Sequence, residues 1–365
     1  DAQGGIPTRN PEELLEIFKL LTWAKAALTD SEHIPTAELE RALKRIAPSL
    51  RTLRHANGNL VRFQGGDQGM EGMLDTALAA CGIKSRNSDH LTMGYARLSA
   101  GRTSVIIDAG PPATGNASYN AHASTLAFEL TSGRRPLIVS CGSGAHLGPD
   151  WHRAGRATPS HSTLCLGGYS SARLGKPVKT SGVYRELLVE APKIVPVEMS
   201  QTAEGVKFEG AHSGYVPPFG LTHARKLSLS LDGRSLAGED LLIALDDTAG
   251  NAGETVLSDD INPNIDFQIR FHLHPEVDAA LDLGGTTVAI AAKSGEIWIF
   301  RHESKLSLTI EPGVYLEKNQ PIPRSSRQIV LSGMVNDALT RAQWSLSKTQ
   351  DTAMAIRDLR LEELR

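Results

Sequence analysis

The sequence is poor in cysteine, in long hydrophobic runs and in net charge. Three cysteines in 365 residues, with no CxxC pair, are too few for a disulfide framework: Cys81, Cys141 and Cys165. Three cysteines still allow one disulfide bond, although buried free thiols are the favoured interpretation. The apolar runs, such as 105–107, are far too short to cross a bilayer. Because 38 basic residues nearly balance 41 acidic ones, the net charge of −3 excludes a bulk affinity for nucleic acid or anionic membrane, but not a local basic groove.

The sequence also lacks the short motifs of several enzyme classes. It contains no phosphate-binding loop, dinucleotide glycine fingerprint, HExxH zinc motif or nucleophile elbow. A hydrophobic fraction of 40% and a charged fraction of 22% are typical of a folded protein. The chain opens on Asp1 without a methionine or a signal peptide, so we interpret it as an internal piece or a processed product whose compartment the sequence leaves unknown.

Apolar residues recur at helical spacing in two segments near the start of the chain. Pro11 is predicted to begin the first helix, which ends near 29–31. Thr36 is predicted to cap the second helix, and Pro48 to close it. Two helices cannot bury such apolar stripes against each other alone. Either they pack on the later sheet or the rest of a helical domain is absent. We favour the second interpretation, and expect a missing helical domain or an oligomer partner to pack on residues 11–50.

From Gly94 onwards the apolar spacing changes to the alternation of β-strands, with turn signals between the runs. Many such runs without amphipathic helices between them predict a large antiparallel sandwich. The strand candidates are 103–108, 124–130, 137–140, 163–166, 183–189, 194–199, 226–231, 241–245, 267–273, 287–291, 296–300, 306–310 and 326–331.

The predicted fold class is α+β multidomain, with a short α-helical segment followed by a large antiparallel β-sandwich. The predicted boundaries are a helical segment over 1–60, a connector with a short helix over 61–93, the sandwich over 94–346 and a charged C-terminal helix or tail over 347–365.

Histidines are the most informative polar residues. His122 lies where a polar turn enters a strand candidate, and His161 precedes a later one. Two imidazoles at the starts of neighbouring strands can share a metal, but a zinc site needs three or four protein ligands. Taken alone, two distant histidines are more often ordinary hydrogen-bonded residues.

A second histidine segment lies at 270–275. Strand alternation puts Arg270, His272 and His274 on one face of the predicted strand. Such a face suits a cleft for an anionic sugar, and it equally suits a solvated outer sheet face. The sequence leaves both interpretations open.

Six short motifs follow one another along the chain. They are GGIPTRNP at 4–11, DAGPP at 108–112, AHASTLAFEL at 121–130, RATPSHST at 156–163, GAHSGY at 210–215 and RFHLHP at 270–275. In this order, over most of the chain to about Trp344, they resemble the heparinase II/III-like family.

The resemblance implies the end of an incomplete α/α toroid in front of the sandwich, with a substrate cleft between them. It implies a bacterial polysaccharide lyase that cleaves uronic-acid-containing glycans, such as heparin and heparan sulfate or bacterial acidic glycans, by β-elimination. In that reaction one group offsets the uronate charge, a tyrosine or histidine removes the C5 proton, and an acid protonates the leaving oxygen. Periplasmic localisation is implied in the same way.

The resemblance also implies roles for single residues. His122 and His161 match two of three structural zinc ligands, and the third position falls at Ser140, a poor replacement for a carboxylate. Asn120 stands where the family has its catalytic histidine. The candidate catalytic residues are His122, Asn120 and His272. The candidate substrate-binding residues are Arg9, Asn10, Arg270 and His274.

Two functions follow as hypotheses. The favoured one is a lyase acting on an acidic polysaccharide, with part of its catalytic toroid absent from this chain. The alternative is a non-catalytic member of the family that binds anionic glycan or serves assembly. The replacements at Asn120 and Ser140 are what the alternative predicts.

Overall fold

The protein contains five α-helices and twenty β-strands in the part of the chain that the structure describes. The structure is a computed structural model that describes residues 1, 3–84, 91–180, 182–244, 264–303 and 305–350. The helices, numbered α1 to α5 in chain order, are Pro11–Asp30, Ala37–Thr52, Met73–Cys81, Pro149–Arg156 and Val216–Phe219. None of these helices is long and apolar enough to span a membrane.

The strands, numbered β1 to β20, occupy most of the chain after the third helix. They are Tyr95–Ala100, Thr103–Asp108, Phe128–Ser132, Arg135–Val139, Leu164–Leu166, Arg173–Leu174, Val178–Thr180, Val183–Arg185, Leu188–Glu190, Val197–Gln201, Gly205–Tyr215, Leu221–Ser230, Ser235–Ala244, Ile265–Leu273, Val277–Asp282, Thr287–Ala292, Ile297–His302, Ser307–Tyr315, Arg324–Val335 and Leu339–Gln350.

Most strands form two antiparallel sheets of eight. The first sheet has the order β1-β2-β3-β4-β14-β19-β18, with β5 also paired to β14, and the second has the order β10-β11-β12-β13-β20-β17-β16-β15. Their facing sides share one apolar cluster, which includes Phe128, Phe208, Phe271 and Trp344. Two sheets packed over one core make a sandwich. The predicted α+β class, helices first and a large antiparallel sandwich after, is confirmed.

The first three helices pack on the outer face of the first sheet. Strand β2 shows this most clearly, because all six of its residues are buried. Val105 and Ile107 belong to the cluster between the two sheets, whereas Ile106 belongs to a second apolar cluster. That second cluster contains Phe18 of α1 and Leu43 of α2. The first sheet is therefore covered on both sides, and the buried faces of α1 and α2 pack on the later sheet, which was not the favoured interpretation. A further partner on residues 11–50 stays a prediction.

The helix starts follow the sequence, but one helix end does not. Asn10 caps α1 by accepting the N–H groups of Glu12 and Glu13, and Thr36 caps α2 as predicted. The prediction that Pro48 closes α2 is wrong, because the helix continues to Thr52. Proline costs one intrahelical hydrogen bond. Burial of the neighbouring apolar residues Ala47 and Leu50 offsets that cost.

One predicted strand is also corrected. The run 124–130 alternates like a strand, yet β3 begins only at Phe128. Residues 124–127 form a turn in which the Ala127 N–H donates to the Ser124 carbonyl at 2.8 Å. Leu126 has a φ of 64°, which is incompatible with a strand. Tertiary contacts thus override the local pattern here.

Two further expectations concern the cysteines and the end of the chain. All three cysteines are free and buried, as favoured. Strand β20 extends to Gln350. The charged helix or tail expected from Thr352 onwards lies outside the described residues. The predicted domain boundaries stay predictions.

A buried ion pair joins the first helix to the sandwich. Arg9, directly before the α1 cap, has an N–H 2.6 Å from Asp108 Oδ1 at the end of β2. The same guanidinium donates to the carbonyls of Met93, Gly94, Gly110 and Pro111. A buried charge must be paired and hydrogen-bonded to be tolerated. The start of α1 is consequently fixed in position.

We expect loss of this ion pair to destabilise the fold strongly. Arg9→Ala leaves the Asp108 carboxylate buried without its cation, which should lower the free energy of unfolding by about 3–5 kcal/mol in urea denaturation. Arg41→Ala is the control, because its pair with Glu38 is exposed by 57% and 76%. That variant should change stability by less than about 0.5 kcal/mol. Equal effects of the two substitutions would contradict the assigned role of Arg9.

Candidate functional site

A cleft of about 480 Å³ lies between α1 and the sandwich. The N-terminal end of α1 forms one wall, and the segment that leads to β3 forms the other. The side chains that matter for its chemistry are Asn10, Glu12, Glu13, Glu16, Asn120, His146 and Lys318. The cleft lies where the family resemblance implies a substrate site. It is therefore the candidate functional site.

The charge of this cleft is predominantly acidic. Glu12, Glu13, Glu16 and Asp67 line it, against the ammonium of Lys318. Lys318 Nζ donates to Glu12 Oε1 at 3.0 Å. Lysine and glutamate therefore neutralise each other, and Lys19 likewise pairs with Glu16 at 2.5 Å and Arg62 with Asp67 at 3.0 Å. In the described part of the chain Glu13 is left without a cationic partner, and its charge disfavours an anionic group beside it.

Tyr119 is the tyrosine beside the cleft. Its hydroxyl donates to Glu13 Oε1 at 2.6 Å. Partial burial, followed by this hydrogen bond to a carboxylate, raises the pKa of Tyr119 to about 12. A phenol with such a pKa holds its proton near neutral pH, so it is a weak general base.

Asn120 faces the cleft at the end of a short 3-10 helix, Gly115–Asn120. The backbone of Gly65, with a φ of 83°, approaches it so closely that a Cβ there would lie 2.5 Å from the Asn120 Cβ. Only glycine fits between the connector and this residue. The amide of Asn120 does not titrate, so it cannot serve as a proton acceptor.

His122 and His161 are brought together, as their matching positions imply. Both are fully buried, and their ring centroids are 4.9 Å apart. The Gly65 N–H donates to His122 Nε2 at 2.9 Å, and His161 Nδ1 lies 3.3 Å from Ser140 Oγ. The connector is thereby hydrogen-bonded to the sandwich.

Both imidazoles are neutral near pH 7. Burial, and next the charge of His161, lowers the pKa of His122 well below its ordinary value. Burial likewise lowers the pKa of His161 to about 3. Among the residues that the structure describes, His122 Nδ1 and His161 Nε2 have no hydrogen-bond partner although both atoms are buried. Such buried unpaired nitrogens require an explanation.

The donor set fits a zinc ion poorly. A structural zinc takes four ligands from Cys, His, Asp or Glu. Within the described ranges no three such residues form a cluster able to hold a metal. The third position is occupied by the buried hydroxyl of Ser140, a much weaker ligand than a carboxylate.

The candidate substrate residues at the start of α1 make structural contacts. The Arg9 guanidinium donates to Asp108 and to backbone carbonyls. The Asn10 side chain caps α1, as described above, and also lines the cleft. Their roles in substrate binding stay predictions.

The candidates from the 270–275 motif lie outside this cleft. His272 is buried; its Nε2 donates to the Pro159 carbonyl at 2.8 Å, and burial lowers its pKa to about 4. Arg270 contacts Glu311 and two glutamines, while burial lowers the pKa of His274 to about 3. None of the three lines the cleft beside α1. Their assigned roles stay predictions as well.

Sequence reasoning missed a buried polar cluster in the second sheet. His223 Nε2 lies 2.8 Å from Asp240 Oδ1, and its Nδ1 lies 3.2 Å from His212 Nε2. Arg225 donates to both oxygens of Asp240, and Trp344 Nε1 donates to Oδ2 at 2.9 Å. The signal in the sequence was the alternation of residues within each strand, which places these polar residues on its inward face. The cluster is fully buried and contains no nucleophile, which indicates a structural role.

Comparisons with known proteins agree with this architecture. The sequence matches the family described as heparinase II/III-like, C-terminal, over residues 84–348. The chain belongs to the heparinase II/III-like family. Among curated proteins, FtsZ-localized protein C of Caulobacter vibrioides is 32% identical over 360 residues, which cover 95% of this chain and 58% of that protein.

Solved structures of family lyases share the fold. Heparan sulfate lyase HepC from Pedobacter heparinus superposes with a TM-score of 0.67 at 13% identity, over 97% of this chain and 54% of the lyase. A heparinase III structure gives a TM-score of 0.69 at 12% identity, over 95% and 55% respectively. The chain therefore spans little more than half the length of these relatives.

The buried histidines of this family member predict acid sensitivity. In the unfolded chain a histidine titrates near pH of about 6.5, whereas His161 stays neutral in the folded chain until pH of about 3. The unfolded state then binds more protons, so the free energy of unfolding should fall as pH decreases from about 6.5. Each such histidine contributes a slope of up to about 1.4 kcal/mol per pH unit. Urea denaturation at several pH values measures it.

The matched variants are His161→Asn and His33→Asn, because His33 is exposed. Removing His161 should reduce the pH slope by about one histidine's share, whereas removing His33 should leave it unchanged. Identical slopes in both variants would show that burial of His161 does not control the acid response.

Proposed function

We propose that this chain belongs to a non-catalytic family member that localises with FtsZ. In this proposal the sandwich and its helices form a stable scaffold and do not cleave glycan. Of the two hypotheses from the sequence, the alternative is thus the better supported.

The cleft beside α1 is the observation that carries the proposal. β-Elimination needs a base next to the C5 proton and a group that offsets the uronate carboxylate. Asn120 offers an amide at the position of the family's catalytic histidine, and Tyr119 has a pKa of about 12. The neighbouring carboxylate of Glu13 would repel a uronate, and the imidazole that lines the cleft, His146, is bound through Nε2 to the Gln320 carbonyl at 3.1 Å.

The identity of a curated relative supports the second half of the proposal. A protein that is 32% identical over 95% of this chain carries the name FtsZ-localized protein C. The likeness to the lyases, at 12% to 13% sequence identity, supports a shared fold but not a shared catalytic activity. We therefore extend to this chain the localisation that the relative's name states.

We expect no lyase activity from the protein that carries this chain. The unsaturated uronate product of β-elimination absorbs ultraviolet light, so absorbance can be followed with heparin, heparan sulfate, hyaluronan and bacterial acidic glycans. Absorbance should stay at the level of buffer, while heparan sulfate lyase HepC serves as the active control. Product formation that is abolished by Asn120→Ala would overturn the non-catalytic assignment.

We expect the protein to follow FtsZ in cells. A fluorescent fusion would be expressed in Caulobacter vibrioides together with differently labelled FtsZ. The fusion should concentrate where FtsZ does, whereas the unfused fluorophore, as the control, should spread evenly. An even distribution of an intact, full-length fusion would contradict the localisation role and would leave the lyase result unaffected.

A further inference from the structure

We infer that this chain holds its connector to the sandwich through a metal-free, hydrogen-bonded histidine pair, at the position where the family resemblance implies a structural zinc. The pair is His122 and His161, with the Gly65 N–H at one end and the Ser140 hydroxyl at the other. This assignment is independent of the proposed localisation.

The lone pair of His122 is already used by the connector. A neutral imidazole carries one N–H and one lone pair. Because the Gly65 N–H donates to His122 Nε2 at 2.9 Å, Nε2 carries the lone pair and Nδ1 carries the proton. The lone pair that a metal would need is already occupied by the connector. Zinc binding through Nδ1 would require the other tautomer, which places two N–H groups against each other.

His161 has Ser140 as its hydrogen-bond partner. His161 Nδ1 lies 3.3 Å from Ser140 Oγ, and both side chains are fully buried. When Nδ1 donates to the hydroxyl, Nε2 carries the lone pair. Nε2 of His161 and the Nδ1–H of His122, both unpaired among the described residues, are then an acceptor and a donor on adjacent rings. A short adjustment or one bridging water satisfies both atoms.

Ser140 leaves the site without a negative charge. A zinc ion carries two positive charges, and a carboxylate at position 140 would offset part of them. The Ser140 hydroxyl offsets none, and the described surroundings of His122 include the cationic Arg62 and Arg156, which disfavour another positive charge there. A neutral hydrogen-bonded pair is the arrangement that this environment stabilises.

Zinc content and chelator sensitivity test the inference. The purified protein, expressed with added zinc, should retain far less than one equivalent, and its Tm should not change with a chelator. Ser140→Asp restores the missing carboxylate, so it should retain about tenfold more zinc than the unaltered protein and acquire a chelator-sensitive Tm. Ser140→Asn, whose side chain has the size of aspartate but no charge, should behave like the unaltered protein.

The outcomes separate the two possibilities. Near-stoichiometric zinc in the unaltered protein that is lost in His161→Ala would overturn the inference. A folded Ser140→Asp protein that gains no zinc would overturn the role given to Ser140. Should Ser140→Asp not fold, the effect of the chelator on the Tm of the unaltered protein still tests the inference, because a marked decrease would reveal a structural metal.

Discussion

The buried ion pair between Arg9 and Asp108 is the contact on which the arrangement of the molecule depends. It fixes the start of α1 against the end of β2, and Asp108 also accepts hydrogen bonds from Gln64 and Ser124. The helical segment, the connector and the sandwich thus meet at one carboxylate. Because a buried carboxylate must keep its partners, the start of α1, which lines the cleft through Asn10, is held against the sandwich.

The same burial that stabilises this junction limits its chemistry. His122 and His161 lie behind the cleft and not in it, and the loss of hydration keeps both neutral. A general base needs access to substrate and a pKa near the working pH. Neither histidine offers both. The polar groups that do line the cleft are amides, carboxylates, the Lys318 ammonium and the exposed imidazole of His146, whose Nε2 lies 3.1 Å from the Gln320 carbonyl. Stability and catalysis thus place opposite demands on these positions.

The sequence predicted the fold better than the site, for a physical reason. Helix starts depend on local signals, such as the caps at Asn10 and Thr36, and apolar alternation depends on a single strand. The cluster around Asp240 depends instead on the register between β11, β12 and β13, in which His212 lies opposite His223 and Arg225 opposite Asp240. Register between distant segments is not written in any one of them.

The family resemblance located the histidine pair correctly, yet it could not give the chemistry of the pair. That chemistry depends on which nitrogen carries the proton, and the Gly65 backbone decides this by donating to His122. Position 65 must in turn be glycine, because a side chain there would collide with Asn120. The residue that replaces a catalytic histidine and the glycine that sets the tautomer are therefore in direct contact. A change at either position would alter both the cleft and the buried pair, so the departure from the family pattern at Asn120 is physically coupled to the chemistry of the pair.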